Sequence, residues 1–536
     1  MIEPTLASLF PTSEEIPERY RWTADDTGLS LLVDGDVRRF GGDRQTIHSA
    51  VAVRGAEGAL AALPLGPAAL AGEAEGFAAV EAAARAWANG RGEWPRASTA
   101  TRIACCRDWL GRVEALRERV ALALMWEVGK PWKDALVEVD RTVEYVRATL
   151  DTLAEMERSA AAPVLAGGFA ARVRRAPLGV ALCLGPYNYA INEVFTLVVP
   201  ALLMGNPVVI KTPRYGVLAN ALLAPSLAAS FPRGVVNLVT GSGPSLVGPM
   251  MASGRVDVLA FIGSARTAAI LERQHPHPYR LRRVLGMGAK NPAIVLADAD
   301  LERAAAEIVA GALTFNGQRC TAIKHVLVDR RVAEPLVERL AARVAALGVG
   351  MPWQEGVTVT PLPDPAHPAY LAGLVEDAVG RGARVVNRGG GESAGSLVRP
   401  AVVYPVVREA RLFVEEQFGP IVPVSTFDTP EEAVGIVERS EFGQQVALFG
   451  RAPELVGPLL DHLANLVCRV NLDTQCRRGP DVYPFTGRKD SAVGTLSISD
   501  ALRVFSLRSL VATTEAQAAR LTELGATSRF LAPPPD

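Results

Sequence analysis

The chain has almost no net charge: 56 basic residues stand against 57 acidic ones, a formal balance of -1. It therefore carries no overall field to draw it to nucleic acid or to an anionic membrane, and any anion recognition must be local. Cysteine and histidine are both scarce, with six of each in 536 residues. Cys105, Cys106, Cys183, Cys320, Cys468 and Cys476 follow no CxxC or other metal-ligand spacing. The adjacent pair does not look like a disulfide framework, so reduced thiols of a cytoplasmic protein are the simpler expectation. His275 and His277 form the one close histidine pair, in a proline-rich loop without a third ligand nearby. That argues against metal binding, since a protein zinc site normally needs three or four ligands. No run approaches 18 uninterrupted apolar residues, and Met1-Ile-Glu-Pro-Thr5 lacks a basic region followed by an apolar core. Neither a membrane span nor export is expected.

What the chain does have is length and apolar content, 49% hydrophobic against 21% charged. It can bury large cores and is too long for one, so two to four domains are expected. Residues 1 to about 70 are irregular, with short apolar segments at Leu31–Val33 and Ala50–Val53 suited to an edge hairpin or strand pair. From Glu73 to Ala148 the apolar spacing is helical, and the Gly129-Lys-Pro131 break opens a new helix. Phe169–Pro177 has the pattern of an exposed basic strand. Strands then alternate with helices: Val180–Leu184, Pro207–Ile210, helix Val217–Ala229, Val235–Val239, helix Ser245–Ala252, Val256–Ile262, helix Arg266–Arg273 and Ala293–Leu296. The rhythm resumes at His325–Val328 and runs to Val467–Asn471. Such alternation predicts two α/β units, each a doubly wound parallel sheet. Ala501–Val511 alternates like an edge strand, which would need covering by another subunit. One helix is expected after Thr513, with a frayed end at Pro533-Pro-Pro-Asp536.

Four constellations carry chemistry. In Phe315-Asn-Gly-Gln-Arg-Cys-Thr-Ala-Ile-Lys324, Cys320 follows a small-polar turn and adjoins Arg319, a cation able to lower a thiol pKa. A lone cysteine is more often buried and inert, so its partners matter. Gly185-Pro-Tyr-Asn-Tyr-Ala-Ile-Asn192 follows a buried strand, at the carboxyl end where α/β ligands bind, and Asn188 could donate to an oxyanion there or serve only the turn. Lys211-Thr-Pro-Arg214 puts two cations at another strand end, suited to ribose hydroxyls and a phosphate or simply to solvent. Gly241-Ser-Gly-Pro244 and Phe261-Ile-Gly-Ser264 open helices and could offer amides to a pyrophosphate, though neither matches GxGxxG.

Over roughly residues 75–512 the chain resembles the aldehyde dehydrogenase superfamily. The resemblance rests on Gly185-Pro-Tyr-Asn-Tyr189, Gly205-Asn-Pro-Val-Val-Ile-Lys211, Phe261-Ile-Gly-Ser264, Gly317-Gln-Arg-Cys320 and Glu416-Gln-Phe-Gly-Pro420, in the family's order and spacing. It implies a dinucleotide-binding domain (71–149 and 178–286), a catalytic domain (287–494) and oligomerisation strands (150–177 and 495–513). Residues 1–70 keep an open role and 514–536 form a tail. It further implies Cys320 as nucleophile and Asn188, with the Cys320 amide, as oxyanion hole. Lys211 would hold the adenosine ribose, Gly263 and Ser264 the dinucleotide, and Glu416 and Phe418 the nicotinamide half. A homo-oligomer, dimer or tetramer, is the implied assembly.

Within the superfamily, Trp132–Arg141, Gly317–Ala322 and Gln475–Phe485 are similar to the non-phosphorylating glyceraldehyde-3-phosphate dehydrogenases. That branch implies a phosphorylated aldehyde held by Arg141, Tyr189, Arg319 and Arg478, and Arg214 favours NADP over the alternative, NAD. One departure stands out. The family's water-activating glutamate, aligned through Leu285-Gly-Met-Gly-Ala-Lys-Asn-Pro292, falls on Gly286. Three outcomes compete: another carboxylate such as Glu416 assists water, coenzyme A takes the acyl group, or the protein is a catalytically weak nucleotide-binding scaffold.

Overall fold

The computed structural model describes residues 5–532, so the expected fraying of Pro533–Asp536 lies outside the described residues. Two large sheets dominate. The first runs in the order Asp36–Arg39, Ser30–Val33, Val236–Val239, Val208–Lys211, Ala181–Leu184, Val258–Ile262, Arg282–Gly286 and Ala492–Val493. Its five central strands are parallel, and antiparallel strands close both edges. The short central strands are buried on both faces, which is why they appear in the sequence as plain apolar runs. Leu31–Val33 thus belongs to this sheet edge, while Ala50–Val53 lies in a separate long hairpin, Arg44–Arg54 with Leu60–Ala69.

The second sheet orders Arg384–Val385, Ala401–Tyr404, Ile421–Phe427, His325–Asp329, Pro292–Val295, Gln445–Phe449 and Arg469–Leu472, parallel except at its first edge. A third sheet of three antiparallel strands, Val164–Ala166, Phe169–Pro177 and Ser506–Thr514, stands apart. Among the described residues no helix is long and apolar enough to cross a membrane.

Several expected elements are redrawn. The supposed strand Ala501–Val511 is a helix, Ile498–Val504, followed by the strand Ser506–Thr514. Ile498, Ala501, Leu502 and Phe505 are buried at helical spacing, a period hidden when the window starts at Ala501. Val217–Ala229 divides into Val217–Ala221 and Ala224–Ser230, and Ser245–Ala252 begins with a π turn at Gly243–Val247. The tail helix is only Ala519–Leu524, and it packs Leu521 with Leu531 against Ala170 of the third sheet.

Candidate active site

The carboxyl ends of the first sheet face the second across a cavity of about 980 Å3. It is lined by Arg141, Asn188, Tyr189, Arg214, Gly263, Ser264, Gly286, Arg319, Cys320, Glu416, Phe418 and Arg478. Residues far apart in sequence are therefore brought to one space. Lys211 ends its strand nearby without lining the cavity, and burial pulls its ammonium down to about 8.

Cys320 is presented by a tight turn. Phe315, Asn316 and Gly317 all have positive φ (52°, 55° and 70°), and a Cβ at Gly317 would meet the Ala312 and Gly419 carbonyl oxygens, each at 2.7 Å. Only glycine fits there. The buried Asn316 side chain locks the turn to Thr360, donating to its carbonyl at 2.9 Å and accepting from its N–H at 2.9 Å. After the turn, Asn291 donates to the Cys320 carbonyl at 2.7 Å.

Burial pushes the Cys320 thiol up, and the Glu193 charge pushes the same way; Lys324 and Arg478 oppose it. The activating cations are thus Lys324 and Arg478, and the expectation that adjacent Arg319 lowers this pKa is corrected. Arg319 is buried and turned onto its preceding helix, where Nη2 donates to the Gly311 carbonyl at 2.6 Å. That helix end has carbonyls without intrahelical partners, which a guanidinium satisfies. Arg319 Nε is buried without an acceptor among the described residues.

Asn188 is buried, and its Nδ2 donates to the Gln318 carbonyl at 2.7 Å, which ties the amide to the turn bearing Cys320. Its own loop hangs on a fully buried pair, Lys130 and Glu138. Lys130 Nζ donates to the Asn188 carbonyl at 2.8 Å and lies 4.0 Å from the Tyr189 ring centre, while Glu138 accepts from the Ile191 and Asn192 amides at 2.9 and 3.2 Å.

The arginines expected to hold a substrate phosphate already have partners. Arg478 Nη1 donates to both Glu193 oxygens at 2.6 and 2.7 Å, and its Nε to Asp481 at 3.2 Å. Arg141 reaches the same Asp481 at 3.2 Å. On the opposite wall, Arg214 is exposed and touches Asp364 only at 3.5 Å. Ser264 caps the helix Ala265–Gln274 by accepting from the Thr267 amide. Glu416 pairs with buried Lys324 and accepts from the Ala289 amide at 3.2 Å. Phe418, at φ 45°, packs edge-on against Tyr187. A Cβ at Gly263 would strike the Phe261 ring at 2.4 Å, and one at Gly288 would come within 2.8 Å of Glu416. This glycine-floored wall, with Ser264 and Glu416 along it, suits the close approach of a dinucleotide.

Sequence reasoning missed Glu193, Lys324, Asp481 and the Lys130–Glu138 pair. Glu193 had a signal: it is the one acid in the apolar helix Asn192–Leu203, where an unpaired charge is not tolerated. Among the described residues no cluster of His, Cys, Asp and Glu suits a metal, and buried His275 bonds the Val256 carbonyl at 3.0 Å instead.

Residues 62–510 match the model of the aldehyde dehydrogenase family, and the chain belongs to that family, whose members are NAD(P)-dependent oxidoreductases. It is 35% identical over 399 residues to an NADP-dependent glyceraldehyde-3-phosphate dehydrogenase of Streptococcus equinus, covering 73% of this chain and 81% of the relative. The Pisum sativum protein of the same description is 31% identical over 395 residues, 72% of this chain and 78% of the relative. Among solved structures, the NADP-dependent glyceraldehyde-3-phosphate dehydrogenase from Bacillus halodurans C-125, complexed with NADP, superposes with a TM-score of 0.81 at 29% identity, covering 92% of this chain and 100% of that one. Lactaldehyde dehydrogenase from Escherichia coli, at 23% identity and a TM-score of 0.82 over 91% of this chain and 99% of that one, shares the fold.

Proposed function

We propose that the protein oxidises a small phosphorylated aldehyde, with glyceraldehyde 3-phosphate foremost, to the carboxylic acid, and that NADP is the hydride acceptor. The observation that carries this reading is the gathering of Cys320, Asn188 and six arginines around one cavity in a chain of net charge -1. Convergent guanidinium groups are what a phosphate requires in such a chain. The relatives described as NADP-dependent glyceraldehyde-3-phosphate dehydrogenases support the same substrate and cofactor.

In this mechanism the Cys320 thiolate attacks the aldehyde carbon, and the Cys320 amide with the second N–H of Asn188 stabilises the oxyanion. NADP, when bound, accepts the hydride, and the acyl group stays on sulfur as a thioester. Arg214, exposed at the mouth, would hold the 2'-phosphate of bound NADP, Lys211 the ribose, Gly263 and Ser264 the pyrophosphate half, and Glu416 and Phe418 the nicotinamide half. Arg141, Tyr189, Arg319 and Arg478 receive the substrate phosphate, for which Arg478 exchanges part of its contact with Glu193.

A second reading, transfer of the acyl group to coenzyme A, is favoured by Gly286 alone. Stopped-flow mixing with aldehyde and NADP separates the two. Continuous NADPH formation without an added acceptor supports hydrolysis. One equivalent per site followed by arrest, relieved by coenzyme A, overturns it. Absence of any burst with NADP still bound would leave only a nucleotide-binding scaffold.

The third sheet exposes Val164, Phe169 and Leu510 on one face, and this apolar face supports assembly into a homo-oligomer, dimer or tetramer as sedimentation would show. All six cysteines are free, in keeping with a reducing, cytoplasmic setting.

A further inference from the structure

Gly286 leaves the thioester without the base expected at that position, and the cavity itself offers three carboxylates among the described residues: Glu193, Glu416 and Asp490. Glu416 is engaged by Lys324 and the Ala289 amide. Asp490 is exposed, in contact with bulk solvent. Glu193 is paired as well, but with Arg478, the cation proposed above to turn to the substrate phosphate. It is buried, stands in the first turn of the helix Asn192–Leu203 five residues beyond Asn188, and has its position fixed by Arg478. It lines the same cavity as Cys320, and its charge raises the Cys320 thiol.

We propose that Glu193 is the general base that frees the acyl group from Cys320, taking the role left vacant at Gly286. This rests on the thioester chemistry proposed above. Water attacks the thioester carbonyl, forming the new C–O bond while its proton passes to the Glu193 carboxylate. The C–S bond then breaks, the electron pair returns to sulfur as thiolate, and the carboxylic acid leaves. The proton on Glu193 is lost to solvent. No oxidant or co-reactant beyond water enters. A substrate phosphate that draws Arg478 away from Glu193 removes the carboxylate's counter-ion at the moment the base is needed, so binding of the charged substrate favours its own release as product.

p-Nitrophenyl acetate, with inorganic phosphate present to occupy the arginines, tests this without aldehyde or cofactor, because an active ester acylates a reactive cysteine directly. The initial burst of nitrophenolate measures acylation and the steady rate measures deacylation. Glu193→Gln should keep the burst and slow the steady rate about a hundredfold, the lower range for loss of a general base. Gly286→Glu added to Glu193→Gln should recover at least about tenfold of that loss. A Cβ at Gly286 meets the Ile262 side chain at 3.3 and 3.7 Å and Leu496 at 3.8 Å, so Ile262 must give by a few tenths of an ångström, and no positive φ opposes the change. Should Glu193→Gln fail to fold with Arg478 left on Asp481 alone, Glu193→Gln/Arg478→Met removes both charges and is read by the ratio of steady rate to burst rate, because loss of Arg478 also slows acylation. A steady rate within about threefold of the native enzyme, or equal loss of burst and steady rate, overturns the proposal. So does a native enzyme that gives a burst and no further release. A native enzyme without a burst instead overturns the assignment of Cys320 as nucleophile, and this inference with it.

Discussion

The two walls of the cavity hold their cations in opposite ways. On the wall proposed for the substrate, Glu193, Arg478, Asp481 and Arg141 form a chain of alternating charge, and the Arg478 side chain is only 7% exposed. On the wall proposed for the cofactor, Arg214 is 75% exposed, touches Asp364 at 3.5 Å and lies 5.2 Å from the Tyr215 ring centre. A buried ion pair is strongly sensitive to loss of one partner, because the other is left unpaired and unsolvated, whereas an exposed pair contributes little and is screened by salt. The wall with Arg478 is therefore held in fixed geometry, while the wall with Arg214 leaves its cation open to a charged ligand, as the roles proposed for them require.

Cys320, the proposed nucleophile between the walls, should give the largest effect. Cys320→Ser is expected to lower turnover on the order of ten-thousandfold with NADP affinity retained, checked by steady-state kinetics beside a binding titration; full turnover would remove Cys320 from the mechanism. Next comes Asn188→Ala, which should reduce kcat roughly a hundredfold or more, as expected for an oxyanion donor. An effect confined to KM would make Asn188 a turn residue.

The contrast between the walls is tested more directly by their arginines. Arg478→Ala should raise KM roughly tenfold to a hundredfold for phosphorylated aldehydes, far more than for unphosphorylated ones. It should also destabilise the fold by about 3–5 kcal/mol, since Glu193 loses its partner. Equal effects on both substrates would break the phosphate assignment. Arg214→Ala should change the NADP-to-NAD preference by about tenfold, leave the melting temperature unchanged, and lose its effect as salt rises.

The smallest effect is in pH. Because burial and Glu193 raise the Cys320 thiol, its thiolate forms at higher pH than that of an ordinary cysteine. Iodoacetamide alkylation of the cofactor-free enzyme should accelerate through the alkaline range. Lys324→Met should shift that profile further up, and Glu193→Gln should shift it down.

Much of the architecture was legible because local patterns carry it. The short buried strands Ala181–Leu184, Val208–Lys211 and Val236–Val239 stand out as apolar runs ended by polar turns. Ala501–Val511 misled, since its alternation mixes the end of one helix with the start of a strand. In the site, Cys320, Asn188 and Glu416 were found by the motifs around them. Lys324 and Glu193 were not, although Lys324 lies only four residues from Cys320, because nothing in a linear pattern says which way a charged side chain turns. Arg319 shows the same limit, with its guanidinium directed to the Gly311 carbonyl.

By itself, then, the sequence determined the order of strands and helices, the turn that presents Cys320 and the absence of a carboxylate at Gly286, since backbone preferences and residue identity are local properties. Tertiary structure alone decided which charges meet: Arg478 with Glu193, 285 positions away, Arg141 with Asp481 across 340, and Lys324 with Glu416 across 92. Charge pairing in a buried cavity depends on distance and desolvation, and neither exists until the two sheets face each other.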